Sequence, residues 1–259
     1  MIPDYFLQQT DKPLFPDLLW SRPETKHGAG KLAAIGGQAN EFIQVAESYA
    51  AAEKHGAGII RVVMPESTRS FTKMLPNIEY APSNPSGSFA QTALSELIDL
   101  GLWSDATLLA GNLGRNSETS LMLEKLITKL SNRIIISPDA QQSIDINPQE
   151  LLSSQNLVYV NSYEAFQKVG IALKLQTPIT SSAGNLEFAQ ILHELSKAYP
   201  ALIVILRGNT VWCAHNGTVT NSRPKRTMSA PEITAAISVW TMQNPYKLLE
   251  AATSALYTD

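Results

Sequence analysis

The 259-residue sequence contains one cysteine and four histidines, and this scarcity excludes two classes of protein. The single thiol, Cys213, cannot form an intramolecular disulfide, and a thiolate zinc site needs more than one cysteine. The histidines occur at none of the short spacings that zinc hydrolases use. We therefore predict neither a disulfide scaffold nor a metal hydrolase, and no metal-ligating residues. The histidines are His27, His55, His193 and His215.

An excess of charge of one sign is also missing. Twenty Lys and Arg residues face 23 Asp and Glu residues, a net charge of −3, so nothing attracts the whole chain to nucleic acid or to an anionic membrane. No apolar run approaches the roughly 18 residues of a membrane span, and the amino terminus lacks the regions of a signal peptide. We expect a cytoplasmic protein without nucleic-acid or membrane partners. Phosphate binding would then depend on a local cationic cluster.

Short β-branched runs alternate with segments of helical period, a pattern typical of parallel strands joined by crossover helices. Several runs are apolar throughout, so both faces of the sheet must be covered by helices. With 44% apolar residues the chain can bury a core, and we predict one domain over 1–259 with 1–25 as a lead-in segment. The predicted strands are Lys31–Ile35, Ile59–Val63, Thr107–Ala110, Arg133–Ser137, Leu157–Val160 and Leu202–Leu206.

The first crossover helix is predicted to follow Gly36-Gly37, with Asn40 as its cap, and to end at Gly56. The stretch from Pro76 to Gly87 is predicted to be a surface loop. Further helices are predicted at Glu66–Leu75, Ala90–Leu100, Glu118–Leu130, Tyr163–Val169, Leu186–Tyr199, Pro231–Gln243 and Tyr246–Tyr257.

One segment departs from the alternation of strand and helix. Asn216-Gly217 suits a type I′ turn and lies between two short β runs. We therefore predict an antiparallel hairpin of Thr210–Ala214 and Thr218–Thr220 at a sheet edge.

In an open parallel sheet, ligands collect where strands end and helices begin, because backbone N–H groups converge there. The glycines of 26–30 and 36–38 allow a ligand to approach the backbone, or serve only tight turns, and the sequence favours neither reading. The turn Ala110–Arg115 carries two glycines and an arginine. It fits neither the dinucleotide-binding nor the P-loop glycine pattern.

Two further strand ends carry carboxylates. Asp139 follows one apolar strand, and Glu164 follows another together with Asn161 and Ser162. At the strand end with Glu164, a structural interpretation is favoured. In it, Asn161 or Ser162 caps a helix and Glu164 is the acidic residue of its first turn.

The segment before the penultimate helix contains three cations, Arg223, Lys225 and Arg226. These charges and the free N–H groups of the helix start could hold a polyphosphate. Ser229-Ala-Pro-Glu232 fits a capping box, in which the glutamate returns to the Ser229 N–H. The alternative is a general base beside the phosphates. Local sequence alone favours the cap.

With its segments in this order, the chain resembles the NAD(P)H-hydrate dehydratase family, the ATP- or ADP-dependent repair enzymes of the ribokinase-like superfamily. Residues 26–37 and 56–65 resemble the family's succession K-G-x-x-G, strand, G-G-S, helix, G-A-G, strand, T-P. Residues 110–115 are similar to its G-P-G-L-G-R turn. The family's D-A-D-A element ends where Asp139-Ala140 lies. Its P-H-P-G-E element matches at Glu164, with Asn161 in place of the histidine. Its L-K-G element corresponds to Leu206-Arg207-Gly208.

The resemblance implies a three-layer α/β/α ribokinase-like fold, with a mostly parallel central sheet and a late antiparallel hairpin. It implies that ATP or ADP with Mg²⁺ phosphorylates the hydrated nicotinamide ring of NAD(P)H hydrate, and that loss of phosphate restores NADH or NADPH. It also implies a homo-oligomer. Glu232, on the aspartate of the family's G-[ST]-G-D motif, is then the catalytic base. The implied nucleotide- and phosphate-binding residues are Arg207, Gly208, Lys225, Arg226, Ser229, Ala230, Asn161 and Glu164. The implied substrate-binding residues are Gly36, Gly37, Gln38, Asn112, Gly114 and Asp139.

Two departures from the family pattern keep other functions open. Glu232 is one methylene longer than aspartate, and Pro231 removes one N–H donor from the anion hole. Glu41–Gln44 replaces the tyrosine-threonine-glycine-alanine element after G-G-S, so bulky side chains crowd the nicotinamide end. One alternative is a ribokinase-like kinase for another hydroxyl substrate. The other is a non-catalytic nucleotide-binding protein on the same scaffold.

Overall fold

The computed structural model describes residues 2–72 and 78–257. The strands in those ranges are β1 (Phe6–Gln9), β2 (Lys31–Gly36), β3 (Ile59–Pro65), β4 (Ile78–Ala81), β5 (Ala106–Ala110), β6 (Arg133–Ile136), β7 (Leu157–Ser162), β8 (Leu202–Arg207), β9 (Thr210–His215) and β10 (Thr218–Ser222). The α-helices are α1 (Pro16–Trp20), α2 (Ile43–Lys54), α3 (Arg69–Thr72), α4 (Leu94–Trp103), α5 (Ser117–Lys129), α6 (Pro148–Leu152), α7 (Tyr163–Ala172), α8 (Asn185–Ala198), α9 (Ala230–Gln243) and α10 (Leu248–Ala255).

The described strands form one ten-stranded sheet in the order β1-β10-β9-β8-β7-β6-β5-β2-β3-β4. Every neighbouring pair is parallel except those that include β9, which runs antiparallel to β8 and β10. Because β10 reverses the direction again, β1 and β10 end at the same edge as β8. This carboxyl edge is where ligands bind in open α/β sheets.

Helices cover both faces of the sheet, as the apolar strands predicted. Alternate strand residues divide between two buried clusters, because successive side chains of a strand point to opposite faces. Ile35, Leu109 and Ile136 pack with α4, α5, α7 and α8. Their neighbours Ala34, Leu108 and Ile135 pack with α1, α2, α9 and α10. The three-layer α/β/α architecture is therefore confirmed. None of the described helices is both long enough and apolar enough to traverse a bilayer.

The predicted hairpin is confirmed and extends further, as β9 and β10. Its predicted place at a sheet edge is wrong, because β1 pairs with β10 and forms that edge. Asn216 has φ +48° and Gly217 φ +78°. A type I′ turn needs a positive φ at both central residues, which is why Asn-Gly was informative.

The helix after β2 starts later than predicted. Asn40 is not its cap, since the N-cap residue is Phe42 and no side chain makes a capping bond there. Gln38 and Glu41 instead exchange backbone hydrogen bonds of 3.1 and 3.0 Å, which closes a tight turn before the helix. The predicted end is confirmed, because Gly56 follows α2 with φ +86°.

The prediction of a surface loop at 76–87 is wrong at 78–81, where β4 adds an edge strand next to β3. Residues 82–87 belong to no named helix or strand, as predicted, but Asn84 is buried. The Asn84 side chain accepts hydrogen bonds from the N–H groups of Ser86 and Ser88 and donates to the Phe89 carbonyl, which folds the segment inward. Pro76 and Asn77 lie outside the described residues.

One other segment also differs from prediction. The helix expected at 66–75 is a 3₁₀ turn, Glu66–Thr68, followed by α3, and residues 73–75 lie outside the described ranges. The lead-in segment is part of the fold, since β1 pairs with β10 and α1 buries Leu18 against the α9 face.

Candidate functional site

Two cavities open along the carboxyl edge of the sheet, and Leu206 at the end of β8 lines both. The cationic cavity, of about 290 Å³, is lined by Gly208, Lys225 and Arg226 among others. The central cavity, of about 800 Å³, is lined by Asp139, Asn161, Glu164 and Ala230 among others. The first turn of α9 lies between them, because Ala230 lines the central cavity and Ile233 the cationic one.

The cationic cavity combines three features that favour an anion. Arg223 and Lys225 are exposed, and Arg226 is half-buried beside them. Gly208 has φ +55° with open space around it, so a ligand can come close to the backbone. α9, fourteen residues long, presents its amino end here, and its dipole favours negative charge.

Glu232 is engaged by Arg226 through two parallel hydrogen bonds. Arg226 Nη1 donates to Glu232 Oε2 at 2.9 Å, and Arg226 Nη2 donates to Oε1. This guanidinium is the main cause that lowers the pKa of Glu232 below its usual value. The full capping box predicted for Ser229 and Glu232 is therefore wrong, because the carboxylate binds Arg226. Ser229 does cap α9, since its Oγ accepts from the Glu232 N–H at 3.3 Å.

Glu232 lines neither the cationic nor the central cavity. Its carboxylate lies close enough to Lys54 and His55, at the end of α2, for their charges to lower its pKa further. A carboxylate held in this way is a weak base.

The central cavity brings together polar groups from the ends of β6 and β7. Asn161 is buried, donating from Nδ2 to the Tyr159 hydroxyl at 2.8 Å and accepting from the Ser162 N–H at 2.9 Å. Ser162, rather than Asn161, caps α7, and Glu164 is the exposed first-turn acid. Burial raises the pKa of Tyr159 to about 12, so its hydroxyl keeps its proton at neutral pH.

Asp139 enters the central cavity from the segment after β6. Burial raises its pKa, and the negative charge of Glu41 raises it further. Glu41 is fixed in place by Asn112, whose Nδ2 donates to Glu41 Oε2 at 2.6 Å. Asn112 also accepts from the Gly114 N–H at 2.9 Å. Thus Asn112 positions a second carboxylate beside Asp139.

Arg207, predicted to bind phosphate, lines neither cavity. Its guanidinium stacks on the rings of Tyr163 and Phe188, at 4.3 and 5.3 Å from their centroids. It also donates to the carbonyl of Ala183. In this arrangement Arg207 joins β8 to the α7–α8 layer.

The glycines predicted to bind substrate are required by packing. A Cβ at Gly36 would lie 1.8 Å from the Ala110 carbonyl oxygen, and one at Gly114 would lie 2.0 Å from Ser88 Oγ. Gly37 has φ +84° in the turn after β2, and Gln38 closes that turn. None of these four lines the cationic or the central cavity.

The glycines of 26–30 lie before β2, at the opposite edge of the sheet from both cavities. The Gly30 carbonyl accepts hydrogen bonds from Gly58 and Ile59, and a Cβ at Gly58 would lie 2.7 Å from that oxygen. Here the tight-turn reading is the correct one.

Tyr159 was not among the predicted site residues, although a signal was present. Tyr159 and Asn161 are two residues apart on one strand, so their side chains share a face. Both line the central cavity. Thr210, the first residue of β9, was also missed, and it lines the cationic cavity.

The donor set suits magnesium that is carried by a nucleotide. No group of three or more His, Cys, Asp or Glu residues that could hold a metal occurs within 2–72 and 78–257. Mg²⁺ in nucleotide sites is usually held by one or two carboxylates together with phosphate oxygens and water. Glu164 and Asp139 supply carboxylates to the central cavity.

Comparison with solved structures confirms the ribokinase-like fold. A ribokinase-like superfamily protein from Enterococcus faecalis superposes on 98% of this chain over 87% of its own length, with a TM-score of 0.70 and 15% sequence identity. An ADP/ATP-dependent NAD(P)H-hydrate dehydratase from Bacillus subtilis, co-crystallised with ATP/Mg²⁺, matches 96% and 87%, with TM-score 0.64 and 13% identity. A phosphomethylpyrimidine kinase from Clostridium difficile matches 87% and 97%, with TM-score 0.55 and 11% identity.

At these identities the likeness establishes the fold alone. No protein-family model and no curated protein matches the sequence.

Proposed function

We propose that this protein is an ATP- or ADP-dependent NAD(P)H-hydrate dehydratase. The proposal rests on one observation. The cationic and central cavities are neighbours, since both are lined by Leu206 and by residues of the first turn of α9. The cationic cavity offers three cationic side chains and the positive end of the α9 dipole to a polyphosphate, and the central cavity offers polar groups to a second substrate. The likeness to the hydrate dehydratase structures, with TM-scores of 0.64 and 0.63 against 0.55 for the phosphomethylpyrimidine kinase and 0.56 for a myo-inositol kinase, supports this choice.

In the proposed reaction, the hydroxyl oxygen of the hydrate attacks the terminal phosphorus of the nucleotide, and a base takes the hydroxyl proton. The P–O bond to the rest of the nucleotide breaks, so ADP leaves from ATP, or AMP from ADP. The C–O bond of the new phosphate ester then breaks and phosphate leaves with its electrons, while a proton is lost from the neighbouring ring carbon. Inorganic phosphate and the restored double bond of NADH or NADPH result. Mg²⁺, when bound with the nucleotide, supplies charge that stabilises the transferring phosphoryl group.

Glu232 is the proposed base. Its carboxylate lines neither cavity while Arg226 holds it, so the proposal requires that the arriving nucleotide releases it toward the substrate. Arg226 lines the cationic cavity and also holds Glu232. A phosphate oxygen is an equally good partner for a guanidinium fork, so a bound polyphosphate competes for Arg226. Loss of this pairing returns the pKa of Glu232 toward its usual value and frees the carboxylate. Nucleotide binding and base activation are thereby coupled.

The test is conversion of NADH hydrate with ATP or ADP and Mg²⁺ by the wild type and by Glu232→Gln. General-base catalysis contributes about 10²- to 10⁴-fold, so we expect at least about a 100-fold loss of turnover. The same variant should bind ATP more tightly, because Arg226 no longer has to leave a carboxylate. Glu47→Gln, at an exposed position on α2, is the matched control and should match the wild type on both readouts.

Equal rates for wild type and Glu232→Gln would remove Glu232 from the mechanism. Nucleotide binding without any turnover by the wild type would favour the non-catalytic nucleotide-binding protein.

A second candidate, a ribokinase-like kinase for another hydroxyl compound, is favoured by Glu41. Held by Asn112, its carboxylate lies near Asp139 at the substrate end. Two carboxylates there suit a substrate with several hydroxyl groups or a positive charge better than a phosphate-bearing dinucleotide. Nucleotide consumption screened against sugars and vitamin alcohols separates the two candidates.

A further inference from the structure

The central cavity has an apolar part as well as a polar one. Asp139, Asn161 and Glu164 supply polar groups near the carboxyl edge of the sheet. Another part of the lining is apolar and lies between α7 and the segment 144–151. We call this part the apolar arm, and its residues are Ile144, Ile146, Leu151, Ala165 and Val169.

The apolar arm extends away from the carboxyl edge. Val169 lies five residues after Glu164 on α7, about 7.5 Å along the helix axis. Tyr159, which lines the same cavity, lies two residues before Asn161 on β7, about 6.6 Å along the strand. Because α7 begins where β7 ends and packs back against it, both residues lie on the same side of the polar groups.

The walls of the apolar arm leave apolar surface for a ligand to cover. Ile144, Ile146 and Val169 are half-buried, and each packs against the buried cluster on this face of the sheet while also lining the cavity. Covering such surface removes it from water, which favours binding. The whole cavity, of about 800 Å³, has the size of a small-molecule site, which is typically about 300–1,000 Å³.

Tyr159 adds a hydroxyl proton that no protein group uses. Asn161 Oδ1 accepts from the Ser162 N–H, so Asn161 Nδ2 is the atom that donates to the Tyr159 hydroxyl, at 2.8 Å. The hydroxyl is the acceptor in this bond, and its own proton points elsewhere. Within residues 2–72 and 78–257 that proton has no acceptor. It remains bound at neutral pH, because burial raises the pKa of Tyr159 to about 12.

From these features we infer that the apolar arm binds an amphipathic small molecule, whose apolar ring or branched chain lies between α7 and 144–151 and whose hydrogen-bond acceptor binds the Tyr159 hydroxyl. The inference goes beyond the proposed function, because it requires neither a nucleotide nor turnover. The arm and the polar groups share one cavity, so polar substituents of the same molecule can reach the carboxyl edge.

The experiment titrates three probes into the protein without nucleotide and follows binding by NMR chemical shifts. Benzamide has an aromatic ring and a carbonyl acceptor. Acetamide has the acceptor without the ring, and benzylamine has the ring with a cationic donor in place of the carbonyl. We expect benzamide to bind saturably with a Kd of about 1 mM, and the other two probes to bind at least about tenfold more weakly.

Two variants test the two features of the arm separately. Tyr159→Phe keeps the ring and removes the hydroxyl, so benzamide affinity should fall about tenfold while benzylamine binding stays unchanged. Ala165→Leu adds volume to the arm from α7 and should abolish saturable benzamide binding. Ala172→Leu, the matched control, makes the same change at an exposed position at the end of α7 and should bind benzamide like the wild type.

Absence of saturable benzamide binding to the wild type would overturn the inference. So would unchanged benzamide affinity in Ala165→Leu or in Tyr159→Phe, or an acetamide affinity as high as that of benzamide. None of these titrations contains a nucleotide, so a negative result counts against the apolar arm and not against the proposed function.

Discussion

The crevice along the carboxyl edge of the sheet has a cationic end beside α9 and an acidic end beside the turn after β2. At the cationic end, Arg223, Lys225 and Arg226 surround the start of a long helix, and Gly208 leaves the backbone open. At the acidic end, side chains close the turn after β2 beside the central cavity. Asn112 binds Glu41 there, and Gly36 has no room even for a Cβ.

The two ends therefore have different roles in binding, one for the nucleotide and one for the second substrate. Recognition of a polyphosphate depends on positive charge, which the cationic end supplies through its three cations and the α9 dipole. Recognition of the second substrate depends on shape and hydrogen bonding at the acidic end, where Glu41 has introduced a carboxylate. The cationic end therefore fits the proposed nucleotide, whereas the acidic end determines which second substrate can bind.

The largest expected effect tests whether the acidic end is rigid. In Gly36→Ala the new Cβ would lie 1.8 Å from the Ala110 carbonyl oxygen, so β2 and β5 must separate. Overpacking of this kind typically costs about 1–3 kcal/mol, and with two strands displaced we expect a loss at or above about 3 kcal/mol in urea denaturation. Gly28→Ala, where the nearest atom is 3.5 Å away, is the control and should change stability by less than about 0.5 kcal/mol. A stable Gly36→Ala variant would show that this end can open for a ligand.

The next effect tests the cationic end. Removing both exposed cations in Arg223→Ala/Lys225→Ala should weaken ATP binding by at least about 30-fold, since hydrogen bonds to charged groups contribute about 1.5–3 kcal/mol each. Binding should also depend less steeply on salt concentration, which titrations at two ionic strengths measure. Lys129→Ala, at an exposed lysine in the last turn of α5, is the control. Unchanged ATP affinity in the double variant would move the nucleotide site away from this segment.

A smaller effect tests whether Arg207 belongs to the cationic end. Its stacking on Tyr163 and Phe188 and its bond to Ala183 indicate a structural role. Arg207→Met keeps the aliphatic length and loses these contacts, so we expect a loss of about 1–2 kcal/mol in unfolding free energy with no change in ATP affinity. A loss of ATP affinity at unchanged stability would return Arg207 to the phosphate site.

The sequence predicted the interior of the sheet better than its edges, for a physical reason. β5 to β8 are buried on both faces, and their uninterrupted apolar runs identified them. β1 and β4 are four-residue edge strands of mixed burial, so no comparable run marks them. α6 is only five residues long and has too few turns to show a helical period.

At the candidate site, local signals were predictable and long-range partners were not. The positions of Asp139, Glu164 and the cations follow from strand ends and helix starts. The partner of Glu232 depends on how the segment before α9 turns back over the helix. Asn112 and Glu41 are 71 residues apart, and only the sheet brings them together.

The smallest effect concerns the acidic end and depends on pH. The pKa of Asp139 is raised by burial and then by Glu41. A carboxyl group with a higher pKa in the folded than in the unfolded chain adds stability below its unfolded pKa, and this stability is lost as pH rises through the folded pKa. Asp139→Asn should therefore be more stable than the wild type at pH 8, and this advantage should disappear toward pH 4. Glu41→Gln keeps the contact with Asn112 and removes only the charge, so it should show the same trend with a smaller amplitude. Urea midpoints from pH 4 to pH 8 measure both, and an Asp139→Asn variant less stable than the wild type at pH 8 would mean that the carboxylate has a favourable partner at this end.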